Sequence, residues 1–349
     1  MKTLQFTEKT AYQGESIYVG IDVHKKNWGI CILGDYLERK VYSQPPQPEV
    51  LVNYLHTHFP GASYYSAYEA GFNGFWIDRE LQRYGINNVV VNPSDIPTTD
   101  KNDKRDARKI AKGLRHGNLR RIYVPHQYIL EDRLLLRGRQ KLLADIKRCK
   151  CRIKSQLHFF GIKIPEALDK PYWSRSFRHW LQTKLFEGSA QVLLTAQLEE
   201  LESIERQKKN IEKQIIALAK GKYNQFVSLL RSIPGIGILA AMTLITELVN
   251  MEVLRRQIRC IAFWGLVPNV YVSGETEIVR GMTERHNAFL KPILIQAAWR
   301  AAKLDPSLML TYNQLCRRMK PNKAIIRIAK KLSNRIRYVW KNQISYQNL

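Results

Sequence analysis

Acidic residues are scarce in this sequence, and that scarcity narrows its function before any motif is read. The chain carries 30 Asp and Glu against 56 Lys and Arg over 349 residues, a formal net charge of +26 and a pI near 9.9. Beyond Asp305 there is no acid at all, while ten Lys and Arg follow between Arg317 and Lys341. Solubility does not require such an imbalance; a polyanion does, because each neutralised phosphate releases counterions. Long apolar runs are missing too. The best candidate, 236–249, is broken by threonines and Glu247 and falls short of the roughly 18 residues a membrane span needs. Nucleic acid rather than anionic membrane is therefore the expected partner. Residues 1–13 lack the apolar core of a secretion signal. Cysteine is sparse and odd in number, at Cys31, Cys149, Cys151, Cys260 and Cys316. That usage suits free thiols in a reducing cytoplasm, and the C-x-C at Cys149 and Cys151 reads as ordinary thiols ahead of a zinc site.

What is present divides into three stretches, with domains expected at 1–122, 123–222 and 223–349. Residues 16–120 alternate strand and helix: β-branched apolar strands at 16–23 and 27–33, a third at 38–42, a helix at 48–59, a strand at 62–69, a helix opening at Gly71, a short apolar strand at 88–91 and a basic helix at 103–115. Three leading strands followed by strand–helix alternation predict a ribonuclease-H-like α/β layer. Residues 127–220 read as helix with two breaks. Leu194, Leu198, Leu201, Ile204, Ile211, Ile215 and Leu218 recur at coiled-coil-like spacing, which fits an intramolecular hairpin and a dimerisation arm equally. Residues 133–154 hold nine Lys and Arg and one acid, Asp145, the pattern of a phosphate-tracking helix. The remainder reads as a largely helical unit. It begins with the turn Ser232-Ile233-Pro234-Gly235-Ile236-Gly237, which fits a helix-hairpin-helix phosphate contact or a plain helix-packing turn. As a dinucleotide loop it fails, since no strand precedes it.

Four of the few acids carry the chemistry. Asp22 and Glu69 end apolar strands, and Asp103 and Asp106 are neighbours on one helix face. Asp95 and Asp100 compete for the third position, but neither shares that face with Asp106. Carboxylates gathered this way repel one another unless a cation joins them, and an all-oxygen set selects Mg²⁺ or Mn²⁺. Two such ions, about 4 Å apart, suit phosphodiester chemistry.

These residues also carry a resemblance. Y-V-G-I-D-V-H-K at 18–25, Y-E-A-G ending at the Glu69 segment, K-N-D-K-R-D-A-R at 101–108, the S-I-P-G-I-G turn and W-G-L-V-P followed by V-S-G at 264–274 together resemble the DEDD transposases of insertion-sequence family one-ten. The likeness spans nearly the whole chain in the same order. It implies a RuvC-type domain whose acids, Asp22, Glu69, Asp103 and Asp106, bind metal, and a helical arm serving RNA binding and oligomerisation. It also implies a mainly α-helical transposase domain whose Ser273 forms a covalent phosphoserine–DNA intermediate. A structured bridge RNA would guide target and donor DNA, and a tetramer would join the acids of one protomer to the serine of another. Ser273 is not selected by its own surroundings, having no G-x-S-x-G elbow and no recognisable triad.

Phosphate contacts are expected at Lys25, at Lys104, Arg105 and Arg108 of the basic helix, and at Lys147, Arg148, Lys150 and Arg152 of the arm. Others are expected at Gly235 and Gly237 of the turn and at Arg280, Arg285 and Lys291 around the serine. Aromatic residues among the charges, at Tyr172-Trp173, 177–180 and 338–341, offer stacking surfaces. His286, Lys291 and Asn102 depart from the family pattern without touching the five catalytic candidates. The rival functions are a metal-dependent junction nuclease that uses water, and a non-catalytic binder; the latter is disfavoured because no acid of the set is replaced. A cytoplasmic, nucleoid-associated bacterial or archaeal protein is expected.

Overall fold

The computed structural model describes residues 12–93, 103–183, 188–249, 261–273, 276–283 and 286–347, without the side chains at 103–104, 270–273 and 276–280. Asp95, Asp100, Asn102, Cys260, Gly274 and Arg285 lie outside the described residues. The chain forms two compact units, Met1–Val124 and Pro125–Leu349.

The first unit is a five-stranded sheet, β1 (Ser16–Val23), β2 (Trp28–Leu33), β3 (Glu38–Gln44), β4 (Ser63–Glu69) and β5 (Asn87–Val91), in the order β3-β2-β1-β4-β5. β1 pairs antiparallel with β2 and parallel with β4, and β5 runs parallel to β4. The two-residue alternation of the strands sorts their side chains to two faces. Ile17, Val19, Ile21, Trp28, Ile30 and Ile32 join Leu51, Val52 and Leu55 of α1 (Pro48–His58) and Ile77 and Leu81 of α2 (Trp76–Arg83) in one core. The opposite face gives Cys31 and Leu33 to Ala107 and Ala111 of α3 (Asp103–Arg115), and Ala67 and Val91 to Ile110.

Small residues at 20, 107 and 111 bring α3 down onto β1. A Cβ on Gly20 would lie 2.5 Å from the Ala111 amide nitrogen and closer still to the Ala107 carbonyl oxygen, so backbone meets backbone there. The helix is also tied to the sheet edge. Arg108 donates to both carboxylate oxygens of Glu38 on β3 at 2.9–3.1 Å, which holds the Glu38 carboxyl below its usual range.

The second unit contains α4 (Gln127–Phe159), α5 (Arg175–Thr183), α6 (Ser189–Lys220), α7 (Asn224–Arg231), α8 (Ile238–Leu248), α9 (Leu290–Leu304), α10 (Pro306–Cys316) and α11 (Pro321–Asn342). A two-stranded hairpin, β6 (Pro268–Ser273) and β7 (Thr276–Met282), stands among them. The unit was expected to be largely helical, and this hairpin is the departure. α4 and α6 pack antiparallel within the chain and run between two cores. At one end Leu136 and Ile215 enter the core built by α7 to α11; at the other, Ile146, Cys149, Ile153 and Leu157 meet Phe177, Leu181, Leu194 and Leu201. No described helix is long and apolar enough to cross a membrane.

Two glycine substitutions separate close approach from helix propensity. Gly20→Ala is expected to destabilise the protein by about 2 kcal/mol through overpacking. Gly138→Ala, mid-helix in α4 with nothing within 4 Å of its would-be Cβ, is expected to stabilise it by roughly 0.5–1 kcal/mol. Denaturant unfolding of both variants checks the opposite signs.

Candidate active site

Asp22 follows Gly20 by two residues, so its side chain leaves β1 on the α3 face, and Glu69 leaves β4 on that same face, opposite buried Tyr68. The register pairs Ile21 with Tyr68, which sets Asp22 and Glu69 side by side at the carboxyl ends of two parallel strands. That edge is where open α/β sheets bind ligands. Asp106 comes to it from α3, one residue before the Ala107 contact, because Gly20 admits the helix so closely. Three acids distant in sequence thus share one corner.

Their electrostatics record the crowding. The Glu69 carboxyl is raised above its ordinary range, first by burial and then by the charges of Asp22 and Asp106, with Lys109 opposing. Lys109 Nζ donates to Asp106 Oδ1 at 3.2 Å, and His24 Nε2 lies 3.2 Å from Asp22 Oδ2. Neither was singled out from the sequence. Lys109 could have been found by its i+3 spacing from Asp106, and His24 by its place just past the strand. Asp103 stands one turn before Asp106 at the start of α3; its side chain lies outside the described part of the structure. Among the described residues no three His, Cys, Asp or Glu are grouped closely enough to hold a metal ion. The chemistry of the donors nevertheless fits a hard divalent cation: they are all carboxylate oxygens, and positive charge would relieve the repulsion that lifts Glu69. Asp22, Glu69 and Asp106, with Asp103 adjoining, are the residues that could hold it.

The other sequence candidates are dispersed. Lys25 is exposed beside the Phe72 ring, 5.8 Å from its centroid, and Arg105 is exposed on α3. Arg108 is engaged by Glu38, and Lys104 lies on α3. On the arm, Arg148 pairs with Asp145, Lys150 with Glu205 at 3.6 Å and Arg152 with Glu200 at 2.6 Å, so acids of α6 answer much of the charge of α4. Lys147 is exposed on α4. Trp173, Phe177 and Trp180 pack together on the arm core, whereas Tyr172 and Tyr338 are exposed.

In the second unit Ser273 ends β6 and pairs with Thr276 across the hairpin turn, and Arg280 lies on β7. Lys291 sits in the first turn of α9, half-buried. Gly235 adopts φ +93°, and a Cβ there would lie 2.5 Å from the Ala297 carbonyl oxygen of α9, so the turn is a point of close helix approach. Gly237 has open space beside it and begins α8 without a side-chain cap. Cys149 is buried and Cys151 exposed, and both are free thiols.

Two family models match the chain. The DEDD transposase model of the IS110 type, described as Transposase, matches residues 19–162, and the model described as Transposase IS116/IS110/IS902 family matches residues 227–314. The chain is 27% identical over 299 residues to the transposase for insertion sequence element IS1533 of Leptospira borgpetersenii, an alignment spanning 81% of this chain and 84% of that protein. It is 26% identical over 304 residues to the putative transposase y4qE of Sinorhizobium fredii, spanning 81% and 71%. With the transposase for insertion sequence element IS1111A of Coxiella burnetii it shares 23% identity over 291 residues, spanning 80% and 76%.

The raised Glu69 carboxyl has a signed consequence. Its folded-state value exceeds the unfolded one, so its stabilising contribution is present below the unfolded value and lost as pH rises through the folded value. In chelator at pH 8, Glu69→Gln is expected to melt about 2 °C above the parent, with the gap closing towards pH 4. Adding Mn²⁺ is expected to raise the parent's melting temperature and not the variant's. A parent indifferent to Mn²⁺, or a variant less stable in chelator, would reject the carboxylate cluster as a metal site.

Proposed function

Because the chain belongs to the IS110 family of DEDD transposases, we propose that it cuts and rejoins DNA at an insertion sequence by a serine-linked route, under the guidance of a structured RNA. The observation that carries the reading is the convergence of Asp22, Glu69 and Asp106 on one sheet edge, with the Glu69 carboxyl raised first by burial and then by the charges of Asp22 and Asp106. The strand order β3-β2-β1-β4-β5, with α3 over the acid-bearing edge, supports a ribonuclease-H-like, RuvC-type domain. The net charge of +26 supports polyanionic partners, for which target and donor DNA and a bridge RNA are proposed.

Divalent cations, when bound, polarise the phosphate and stabilise charge on its oxygens. Asp22, Glu69, Asp103 and Asp106 would hold them, and Lys109, which donates to Asp106 at 3.2 Å, offsets part of the acids' charge. Ser273 Oγ attacks phosphorus, one bridging P–O bond breaks, and the proton lost from Oγ ends on the departing oxygen. A hydroxyl from the partner strand later reverses the exchange and frees the serine. One phosphodiester is consumed and one formed at each stage, so no external energy source is required. The acids and the serine come from different protomers of a tetramer in this reading. Arg280, Arg285 and Lys291, which follow the serine in the sequence, would provide cationic groups for the phosphate.

The test incubates purified protein with guide RNA, cognate DNA and Mg²⁺ and separates products under denaturing conditions. A protein–DNA adduct is expected from the parent and absent from Ser273→Ala. Asp106→Asn is expected to lower cleavage by more than about a hundredfold. Cleaved ends without an adduct would replace this reading with a water-using junction nuclease, and full activity without RNA would remove the guide.

A further inference from the structure

α11 is a two-faced helix with a buried apolar face and a basic outer face. Ala324, Ile325, Ile328, Ala329, Leu332, Ile336 and Val339 are buried in the core of the second unit. Lys323, Arg327, Lys330 and Lys341 recur on the other side at steps of four, three and eleven residues, with Lys331 beside Lys330, so they form one stripe at helical period. From Lys323 to Lys341 the stripe runs about 27 Å. None of the five has an acidic partner among the described residues. The last acid of the chain is already used: Asp305, 1% exposed, caps α10 through Leu308 N and takes Arg335 and the Tyr346 hydroxyl. Burial and the neighbouring charge of Arg327 hold Lys330 below its ordinary value, a strain that an anion would relieve.

Two cavities lie along the stripe. One of about 760 Å³ is lined by Lys323, Arg327, Lys330 and Lys331, with Pro268 and Met282 of the β6–β7 hairpin on its far wall. The next, about 400 Å³, is lined by Arg337, Tyr338 and Lys341 further along α11. The first cavity therefore joins the cationic helix to the base of the hairpin whose end carries Ser273. A helix face about 27 Å long matches the axial rise of roughly eight base pairs of a duplex.

We propose that the outer face of α11 is a duplex-DNA track, in which Lys323, Arg327, Lys330, Lys331 and Lys341 grip the phosphate backbone of a strand that passes the base of the serine hairpin. The commitment to DNA rests on the serine reading, since the hairpin wall leads to the residue proposed to attack DNA. The residues carry no base-reading geometry, so the grip is independent of sequence.

The test reads binding rather than chemistry, in a Ser273→Ala background, and so stands apart from adduct formation. Affinity for a duplex oligonucleotide and for guide RNA is measured across a salt series. The set Lys323→Gln, Arg327→Gln, Lys330→Gln, Lys331→Gln and Lys341→Gln is compared with an equally charged set on the arm: Lys163→Gln, Lys170→Gln, Arg206→Gln, Lys209→Gln and Lys213→Gln. Circular dichroism melting confirms that both sets fold. The α11 set is expected to reduce the slope of log affinity against log salt for DNA by about 4.5, at roughly 0.9 for each of the five phosphates no longer neutralised. The arm set is expected to leave that slope near the parent's. An unchanged DNA slope in the α11 set, an equal fall in the arm set, or a fall confined to RNA overturns the proposal.

Discussion

The closeness of α3 to β1 is the constraint on which the first unit's chemistry depends. Carboxylates repel, and nothing in Asp22, Glu69 or Asp106 would draw them together. They meet because a glycine at position 20 and alanines at 107 and 111 let a helix rest on a strand with almost no side chain between. Packing on the hydrocarbon side of α3, and the Arg108–Glu38 bridge at the sheet edge, supply what the acids cannot. The corner is thus held together by packing and by the Arg108–Glu38 bridge rather than by the acids, whose charges crowd one another.

In the second unit charge is sorted in the opposite way. The basic run of α4 looks like a nucleic-acid surface when read alone, yet Arg139, Lys150 and Arg152 meet Glu212, Glu205 and Glu200 of α6, and Arg137 meets Glu247 of α8. Cations matched by acids on a neighbouring helix have less to offer a phosphate than their number suggests. No acid follows Asp305 in the sequence, and Lys323, Arg327, Lys330, Lys331 and Lys341 of α11 have no acidic partner among the described residues. Net charge identifies the kind of partner; only the pairing of charges separates one cationic face from another.

Much of the first unit was legible because local patterns and tertiary needs agree there. The strand at 16–23 and the helix at 103–115 end where alternation and basic periodicity said they would. The hairpin carrying Ser273 was legible in principle: Val270-Tyr271-Val272 and Ile278-Val279 are β-branched or aromatic runs flanking Gly274-Glu275, a turn signal. Surrounded by long helical patterns, it was absorbed into them. Lys109 and His24 stand at spacings that place them beside Asp106 and Asp22, but their significance arises only when the sheet edge brings the other acids beside those partners. Gly235 shows the limit of motif physics, since the glycine that lets an amide approach phosphate equally lets one helix backbone approach another.

Glu247 draws three distant segments together. It is buried, and it accepts two hydrogen bonds from Arg137 on α4, at 2.7 and 2.9 Å, and one from Asn287 just before α9, at 2.8 Å. A carboxylate so enclosed tolerates the loss of none of its donors, because whichever remained would leave charge stranded in a dry interior. The base of the arm is therefore coupled to the α8–α9 core through this carboxylate. Any motion of the arm that keeps this core intact must bend elsewhere along the arm or carry its base and the α8–α9 core as a single piece.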